Sequence, residues 1–139
     1  SHHYAPAAFP AVASFTMVDA LNKAALEDHI PAHVGISVSS DTFWPGQERY
    51  DSFTGYVPKV FQGTLQEWQA LGALNYEMET SALFVTAQVL GIKAGAVCGV
   101  VAKRTDSEEI APNDVYDTAF ARQVKVTVGA LKQLLKAGE

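Results

Sequence analysis

The chain has 139 residues, of which 48% are hydrophobic and 18% charged, so it is long enough for one globular domain with a buried core. Its formal net charge of −5, with lysines and arginines scattered rather than clustered, argues against a nucleic-acid partner. No stretch reaches the ~18 apolar residues of a membrane-spanning helix and no signal-peptide pattern opens the chain, so we expect no membrane segment and a cytoplasmic location.

The first third of the sequence predicts a helix, a strand and a polar loop. Apolar residues at three- and four-residue spacing favour a helix over about residues 17–28, with Ser14 or Thr16 as its cap. Alternating apolar and small residues over 32–39 are typical of a strand. Ligands bind beyond the strand ends of open α/β sheets, so the polar loop over 43–50 is a candidate ligand loop.

The rest of the sequence continues the alternation of helix and strand. Thr64 and Glu67 have the spacing of a capping box at the start of a short helix. A brief strand over 73–76 leads into a second helical pattern. The nearly unbroken apolar run over 92–102 predicts a strand that is buried on both faces, and residues 115–136 predict a long amphipathic helix.

This alternation predicts an α/β fold in which helices flank a mostly parallel mixed sheet. Only about three strong strands are visible in the sequence, and no clear strand precedes the first helix. A mostly parallel sheet that small would be poorly covered by helices. We therefore expect residues 1–139 to be part of a single domain whose N-terminal portion lies outside this sequence. Cys98 has no partner for an internal disulfide, and we expect it to be a small buried hydrophobe.

Two carboxylates, Glu77 and Glu79, stand at the start of the second helical pattern with Met78 between them. A carboxylate pair suggests the acid and nucleophile of a glycosidase, but two residues apart on a helix they are rotated by about 200°. We favour Glu79 as the pocket residue, where it can accept two hydroxyls of a vicinal diol beside the apolar Met78. Glu77 then serves the helix entry; the alternative is that both merely decorate a helix N-terminus.

The loop over 43–50 carries Gln47 and Arg49, whose side chains point the same way if the loop is extended. Together they complement the acceptor, donor and acceptor groups along a uracil edge, and Phe43 can stack on the ring. The alternative is a Pro-Gly turn with solvated polar side chains.

Arg104 follows the apolar run 92–102, where it can stabilise charge that develops on a leaving group. A salt bridge to Asp106 or Glu108 is the equal alternative. The sequence has no Walker loop, no G-x-G-x-x-G and no zinc spacing, so we expect no metal and no bound cofactor.

Two motifs resemble a known family. S-S-D-T-F-W-P-G-Q-E-R-Y-D at residues 39–51 and N-Y-E-M-E at residues 75–79 are similar to the bacterial uridine phosphorylases of the nucleoside phosphorylase family. E-M-E alone marks the wider family, whereas P-G-Q-E-R-Y is far more specific. The resemblance runs over nearly the whole chain and covers only the C-terminal part of the enzyme, somewhat over half of it.

The resemblance implies a role for each candidate residue. Gln47 and Arg49 would bind the uracil base and stabilise it as an anion, Phe43 would stack on it, and Arg104 would lie near a uracil carbonyl. Gln47, Arg49 and Arg104 are thus the candidate catalytic residues, and Glu79 would bind the ribose hydroxyls. The other substrate-binding residues would be Tyr76, Glu77, Met78, Val101 and Ala102. The loop over 105–114 would act as a lid.

The reaction that the resemblance implies is reversible phosphorolysis of uridine to uracil and ribose 1-phosphate, with phosphate as nucleophile and co-substrate. The family's phosphate-binding arginines and glycine-rich loop belong to the N-terminal part, so we expect residues 1–139 alone to be inactive. The family also implies a homo-oligomer, a hexamer built as a trimer of dimers with sites shared across the dimer interface.

Two alternatives to a uridine enzyme remain. A purine nucleoside phosphorylase or nucleosidase of the same fold carries an acidic residue after the late strand, which Ala102, Lys103 and Arg104 do not supply. A non-catalytic nucleoside-binding fragment would share the base and ribose residues without using phosphate. Nothing in the sequence excludes thymidine as a further substrate.

Overall fold

A computed structural model describes residues 3–138 of the chain. Its elements in chain order are helix α1 (Phe15–Glu27), strand β1 (Ile36–Ser39), a 3₁₀ turn (Lys59–Phe61), helix α2 (Thr64–Ala70), strand β2 (Ala73–Glu77), helix α3 (Thr80–Val89) and helix α4 (Asn113–Ala137). Across this described part, no helix combines the length and apolarity that crossing a bilayer requires.

Strands β1 and β2 form a two-stranded parallel sheet. Ser37 lies opposite Asn75, and Ser39 lies opposite Glu77 at the carboxyl ends of the strands. The N–H of Ser40 donates to the carbonyl of Glu77 at 2.9 Å, which extends the pairing by one bond. Because parallel strands end at the same edge, the segments after β1 and β2 begin side by side. The predicted α/β class with parallel strands is confirmed.

Helices α1 and α4 pack through small residues. The buried cluster between them consists of Ala20, Ala24, Ala25, Val126 and Ala130. A Cβ added at Gly129 would stand 3.0 Å from the Cβ of Ala24, so the glycine permits the close approach of the two helices. The predicted long C-terminal helix is confirmed.

The segment 92–102, expected to be a strand buried on both faces, is not a strand, and none of its residues is buried. Some of its backbone groups bond instead to α4 and to Ser14, the residue before α1. The carbonyl of Ala94 accepts from the Ser14 N–H at 2.8 Å, and the carbonyl of Val97 accepts from Nε2 of Gln123 at 2.6 Å. Apolarity along a segment signals burial, but a strand also needs backbone pairing with a neighbouring strand, and among residues 3–138 this segment pairs with none.

Cys98 lies in this segment and is exposed, so the expectation of a buried thiol is wrong. The segment pairs with no strand among the described residues, and Cys98 stands in an open cleft with Tyr76 and Glu77. Although Cys98 is exposed, protein atoms still displace part of the water around its sulfur, and this desolvation together with the nearby charge of Glu77 raises the pKa of the thiol.

Two helix starts differ from the capping that the sequence suggested. Ser14 precedes α1 as expected, but its hydroxyl accepts from the Ala94 N–H at 3.2 Å instead of capping the helix. The capping box of Thr64 and Glu67 is wrong, because Thr64 donates to the carbonyl of Phe61 at 2.7 Å. The residue that caps α2 comes from the loop after β1.

Candidate functional site

The loop after β1 is a tight turn, not the extended segment that was expected. The Glu48 N–H donates to the Pro45 carbonyl at 3.1 Å, and the Arg49 N–H donates to the Trp44 carbonyl at 2.8 Å. The turn buries Gln47 and Arg49, which are 6% and 2% exposed. The alternative of a solvated turn is therefore wrong as well, since both polar side chains are directed into the protein.

Arg49 contacts three partners and keeps one donor free. Its Nη1 donates to the carbonyl of Glu108 at 2.7 Å and lies 3.2 Å from a carboxylate oxygen of Asp51. Its Cζ stands 4.3 Å from the centroid of the Phe43 ring, a cation–π contact that fixes the ring. The Nε of Arg49 is buried without a hydrogen-bond partner among residues 3–138.

Arg104 meets the same loop from the other side. Its Nη2 donates to the carbonyl of Glu48 at 3.1 Å, while Nε and Nη1 are buried with no acceptor in the described part of the chain. Burial and the positive charge of Arg49 lower the pKa of Arg104. The salt-bridge alternative is wrong for Asp106, which pairs with Lys103 at 2.7 Å.

The expected lid is anchored to this loop by Glu108. Its carboxylate accepts from the N–H of Tyr50 at 2.9 Å and from the N–H of Asp51 at 2.8 Å, while its carbonyl accepts from Arg49. Glu108 therefore serves the backbone and forms no ion pair with Arg104 among the described residues. A second bond, from the Ala111 N–H to the carbonyl of Val101, closes the base of this segment.

Glu77 is the last residue of β2 and caps α3. One carboxylate oxygen accepts from the Ser39 hydroxyl, and the other accepts from the N–H groups of Glu79 at 2.7 Å and Thr80 at 2.5 Å. Burial raises the pKa of Glu77, but the hydrogen bonds from Ser39, Thr80 and Glu79 outweigh burial and lower it. The helix-entry role is confirmed, although Glu77 lies on a strand and the helical rotation argument does not apply.

Glu79 and Met78 follow Glu77 and face outward. Glu79 is exposed, and among residues 3–138 its carboxylate accepts one hydrogen bond, from the Met78 N–H at 3.2 Å. Met78 is 39% exposed, so an accessible apolar side chain directly precedes Glu79 in the chain. An exposed carboxylate next to an apolar side chain can accept hydroxyls from a sugar. The ribose-binding role of Glu79 stays a prediction.

Tyr76 lies between the arginines and the glutamates described above. Its ring centroid stands 6.0 Å from Cζ of Arg104, and its hydroxyl lies 3.5 Å from that of Thr64. Together with Glu77 and Val101 it lines an open cleft of about 190 Å³. The other lining residues are Cys98, Gly99, Tyr116, Phe120 and Gln123, which the sequence reasoning missed. Ala102 is half-buried next to Val101.

The site thus has two parts, each named by its charged groups. The arginine cluster consists of Phe43, Gln47, Arg49 and Arg104. The carboxylate cluster consists of Ser39, Glu77, Met78, Glu79 and Thr80. Sequence reasoning found most of these residues but missed the contacts of Ser39 and Thr80 with Glu77, and it missed the anchoring roles of Glu48 and Glu108 beside the clusters. These roles depend on contacts across the fold, and only Ser39, a small polar residue at a strand end, gave a local signal.

Comparison with known proteins identifies the class. A family model described as the Phosphorylase superfamily matches residues 1–137, and the chain belongs to that superfamily. Uridine phosphorylase of Haemophilus influenzae is 46% identical over 97% of this chain and 53% of its own length. Uridine phosphorylase of Escherichia coli is 44% identical over 97% of this chain and 53% of its own length. The chain therefore spans about half the length of the curated relatives it matches.

These comparisons confirm the resemblance that the two motifs carried. A purine nucleoside phosphorylase of Plasmodium falciparum is more distant, at 29% identity over 91% of this chain and 47% of its own length. The relatives named for uridine are thus closer than the one named for purines.

Proposed function

We propose that this chain carries the base and ribose sites of an enzyme that cleaves uridine by phosphorolysis to uracil and ribose 1-phosphate. The observation that carries the proposal is the arginine cluster, in which Arg49 and Arg104 keep three buried donor nitrogens without acceptors among residues 3–138. Buried donors are usually satisfied, so unfilled ones beside an aromatic ring point to a ligand rich in acceptors.

The chemistry needs donors at this place. When the bond between uracil N1 and ribose C1′ breaks, its electron pair leaves with the base, and the negative charge spreads onto the two carbonyl oxygens. Guanidinium groups that are already in place stabilise that charge without reorganisation. A phosphate oxygen forms the new bond to C1′, so no covalent enzyme intermediate arises. Phosphate is the co-substrate in this proposal, and no cofactor takes part.

The carboxylate cluster would hold the sugar. Glu79 can accept hydrogen bonds from the two ribose hydroxyls through its exposed carboxylate, and Met78 offers an apolar surface for the ring. Glu77 fixes the start of α3 and so sets where Glu79 stands. A uracil base is favoured over a purine because Gln47 supplies both a donor and an acceptor, and because Lys103 and Arg104 stand directly after Ala102 where the purine enzymes carry an acid. Thymidine would be accepted as well.

The proposal extends to the setting of the enzyme. We propose a homo-oligomer, a hexamer built as a trimer of dimers, that works in the cytoplasm. The phosphate site would lie in an N-terminal portion that, together with residues 1–139, makes a single domain. Large exposed apolar side chains such as Phe53, Tyr56 and Val60 are available for contacts with that N-terminal portion or with neighbouring subunits.

The test uses the product of the complete reading frame that contains this chain, here called the full-length protein. We expect it to convert uridine to uracil with phosphate and to form no uracil without phosphate, and we expect inosine to be a poor substrate. Residues 1–139 alone should show no turnover.

Other outcomes would contradict the proposal. Release of uracil without phosphate would indicate a nucleosidase, and a preference for inosine would indicate a purine enzyme. Uridine binding that is independent of phosphate and yields no uracil would indicate a binding module. Robust turnover by residues 1–139 alone would show that the phosphate site lies within them.

A further inference from the structure

Glu48 lies between the two base-side residues Gln47 and Arg49, but its side chain serves α2. One carboxylate oxygen accepts from the Gly63 N–H at 2.5 Å, and the other accepts from the Leu65 N–H at 2.7 Å. The residue before α2 is a glycine and has no side chain for capping. A loop residue far upstream therefore satisfies N–H groups that a helix start leaves without partners.

The backbone of Glu48 is also constrained. Its φ is 51°, in the left-handed region that non-glycine residues seldom adopt. In this conformation its carbonyl accepts from Nη2 of Arg104 at 3.1 Å, while its N–H donates to Pro45. Such a conformation persists when surrounding contacts hold it, and the two bonds to α2 are contacts of that kind.

These contacts make Glu48 the common neighbour of both arginines. Arg49 follows it directly in the chain, and Arg104 is bound to its carbonyl. Arg49 and Arg104 repel each other, and each keeps an unpartnered buried donor. Without an anchor, two like charges would move apart, and the positions of their free donors relative to each other would no longer be fixed.

We propose that Glu48 is a positioning residue for base release, which acts by fixing the guanidinium groups of Arg49 and Arg104 through its bonds to α2. This inference rests on the proposed uridine phosphorolysis. Glu48 touches neither base nor sugar in this scheme. Its contribution appears when the electron pair of the breaking bond moves onto uracil, because the free donors must already be in place.

The experiment compares three substitutions in the full-length protein. Glu48→Ala removes the carboxylate, Glu48→Gly removes it but tolerates a φ of 51°, and Glu48→Gln keeps one acceptor oxygen. We expect kcat/KM for uridine to fall about 10- to 100-fold for Ala and Gly and less for Gln. The KM for phosphate should stay near the wild-type value.

A second substrate separates positioning from a general loss of structure. The base of 5-fluorouridine is a better leaving group, because fluorine withdraws electrons and stabilises the anion. It depends less on the arginines, so the ratio of kcat/KM for 5-fluorouridine to that for uridine should rise in the Glu48 variants. Glu67→Gln is the matched control, since Glu67 is an exposed carboxylate in the same helix turn, and this ratio should not change.

Each remaining outcome decides the matter. If the parent protein cleaves uridine and the Glu48 variants keep its kcat/KM and substrate ratio while melting earlier, Glu48 is only a helix cap and the inference is overturned. If the parent does not cleave uridine, the proposed function fails first, before any variant is compared. Should the Ala variant not fold, Gly and Gln supply the same comparison.

Discussion

The two halves of the site use their hydrogen-bonding capacity in opposite ways. In the arginine cluster, Arg49 and Arg104 keep three buried donors unfilled among the described residues. In the carboxylate cluster, Glu77 is filled by Ser39 and two backbone N–H groups, and only Glu79 remains open. A charged side chain whose hydrogen-bonding groups are all satisfied within the protein stabilises the fold. One that keeps unsatisfied donors or acceptors can bind a ligand through them.

The largest effect should come from Arg49→Lys, which keeps the positive charge but loses the planar fork and the free Nε donor. We expect kcat/KM for uridine to fall about 10²- to 10³-fold, the range seen when one preorganised donor is removed from a site of developing charge. Initial rates across uridine concentrations at saturating phosphate measure it.

Arg122→Lys is the matched control for this substitution, because Arg122 is an exposed arginine on α4 outside the site. Its kcat/KM should equal that of the parent. If Arg49→Lys behaved like Arg122→Lys, the free donors of the arginine cluster would have no part in catalysis, and the contrast between the two clusters would lose its functional meaning.

The next effect separates the two glutamates, because one substitution should lower activity and the other should lower stability. Glu79→Gln should lower kcat/KM for uridine about 10- to 100-fold, since a charge-assisted bond to the ribose is lost, while thermal stability changes little. Glu77→Gln should cost about 2 kcal/mol of stability, because an amide keeps one acceptor oxygen where the carboxylate had two. Thermal unfolding and steady-state kinetics on the same two variants measure both.

Two outcomes would contradict this separation of activity from stability. Both variants could lose activity in proportion to stability, and then neither glutamate would have a role separable from the fold. Alternatively, Glu77→Gln could lose most activity at unchanged stability, which would make Glu77 the ligand residue and reverse the assignment within the carboxylate cluster.

Local sequence patterns predicted the elements whose apolar residues recur with a helical or strand period. The helical spacing that became α1 and α4 and the alternation that became β1 carry their own signal. The run 92–102 was wrongly predicted as a strand. Its apolarity indicates burial, whereas a strand also requires pairing with a neighbouring strand, which the local sequence does not contain. The wrong expectation that the Cys98 thiol is buried has the same cause.

The site was predicted by residue type more than by geometry. The motifs brought Gln47, Arg49 and Arg104 to attention, but the assumption of an extended loop missed the turn that buries the first two. The capping box failed for a related reason, since Glu48 competes for the N–H groups of α2 from a distant loop. Contacts made across the fold leave no periodic pattern, so only the structure reveals them.

The smallest effect concerns pH and uses Glu77 again. Its hydrogen bonds hold the pKa below the ordinary value of 4.5, so the unfolded chain takes up the proton first as the pH falls. The stability that Glu77 adds is therefore complete above about pH 4.5 and is lost as the pH falls through the lower pKa of the folded protein.

Melting temperatures of the parent and of Glu77→Gln at several pH values test this. The gap between the two proteins should be widest near neutral pH and should shrink below about pH 4.5, because the protonated Glu77 resembles the glutamine. Glu48→Gln should show the same convergence, since hydrogen bonds from Leu65 and Gly63 outweigh burial and lower the pKa of Glu48 too. A gap that stayed constant with pH would mean that the Glu77 charge does not stabilise the fold, and its bonds to Ser39 and Thr80 would then act through shape alone.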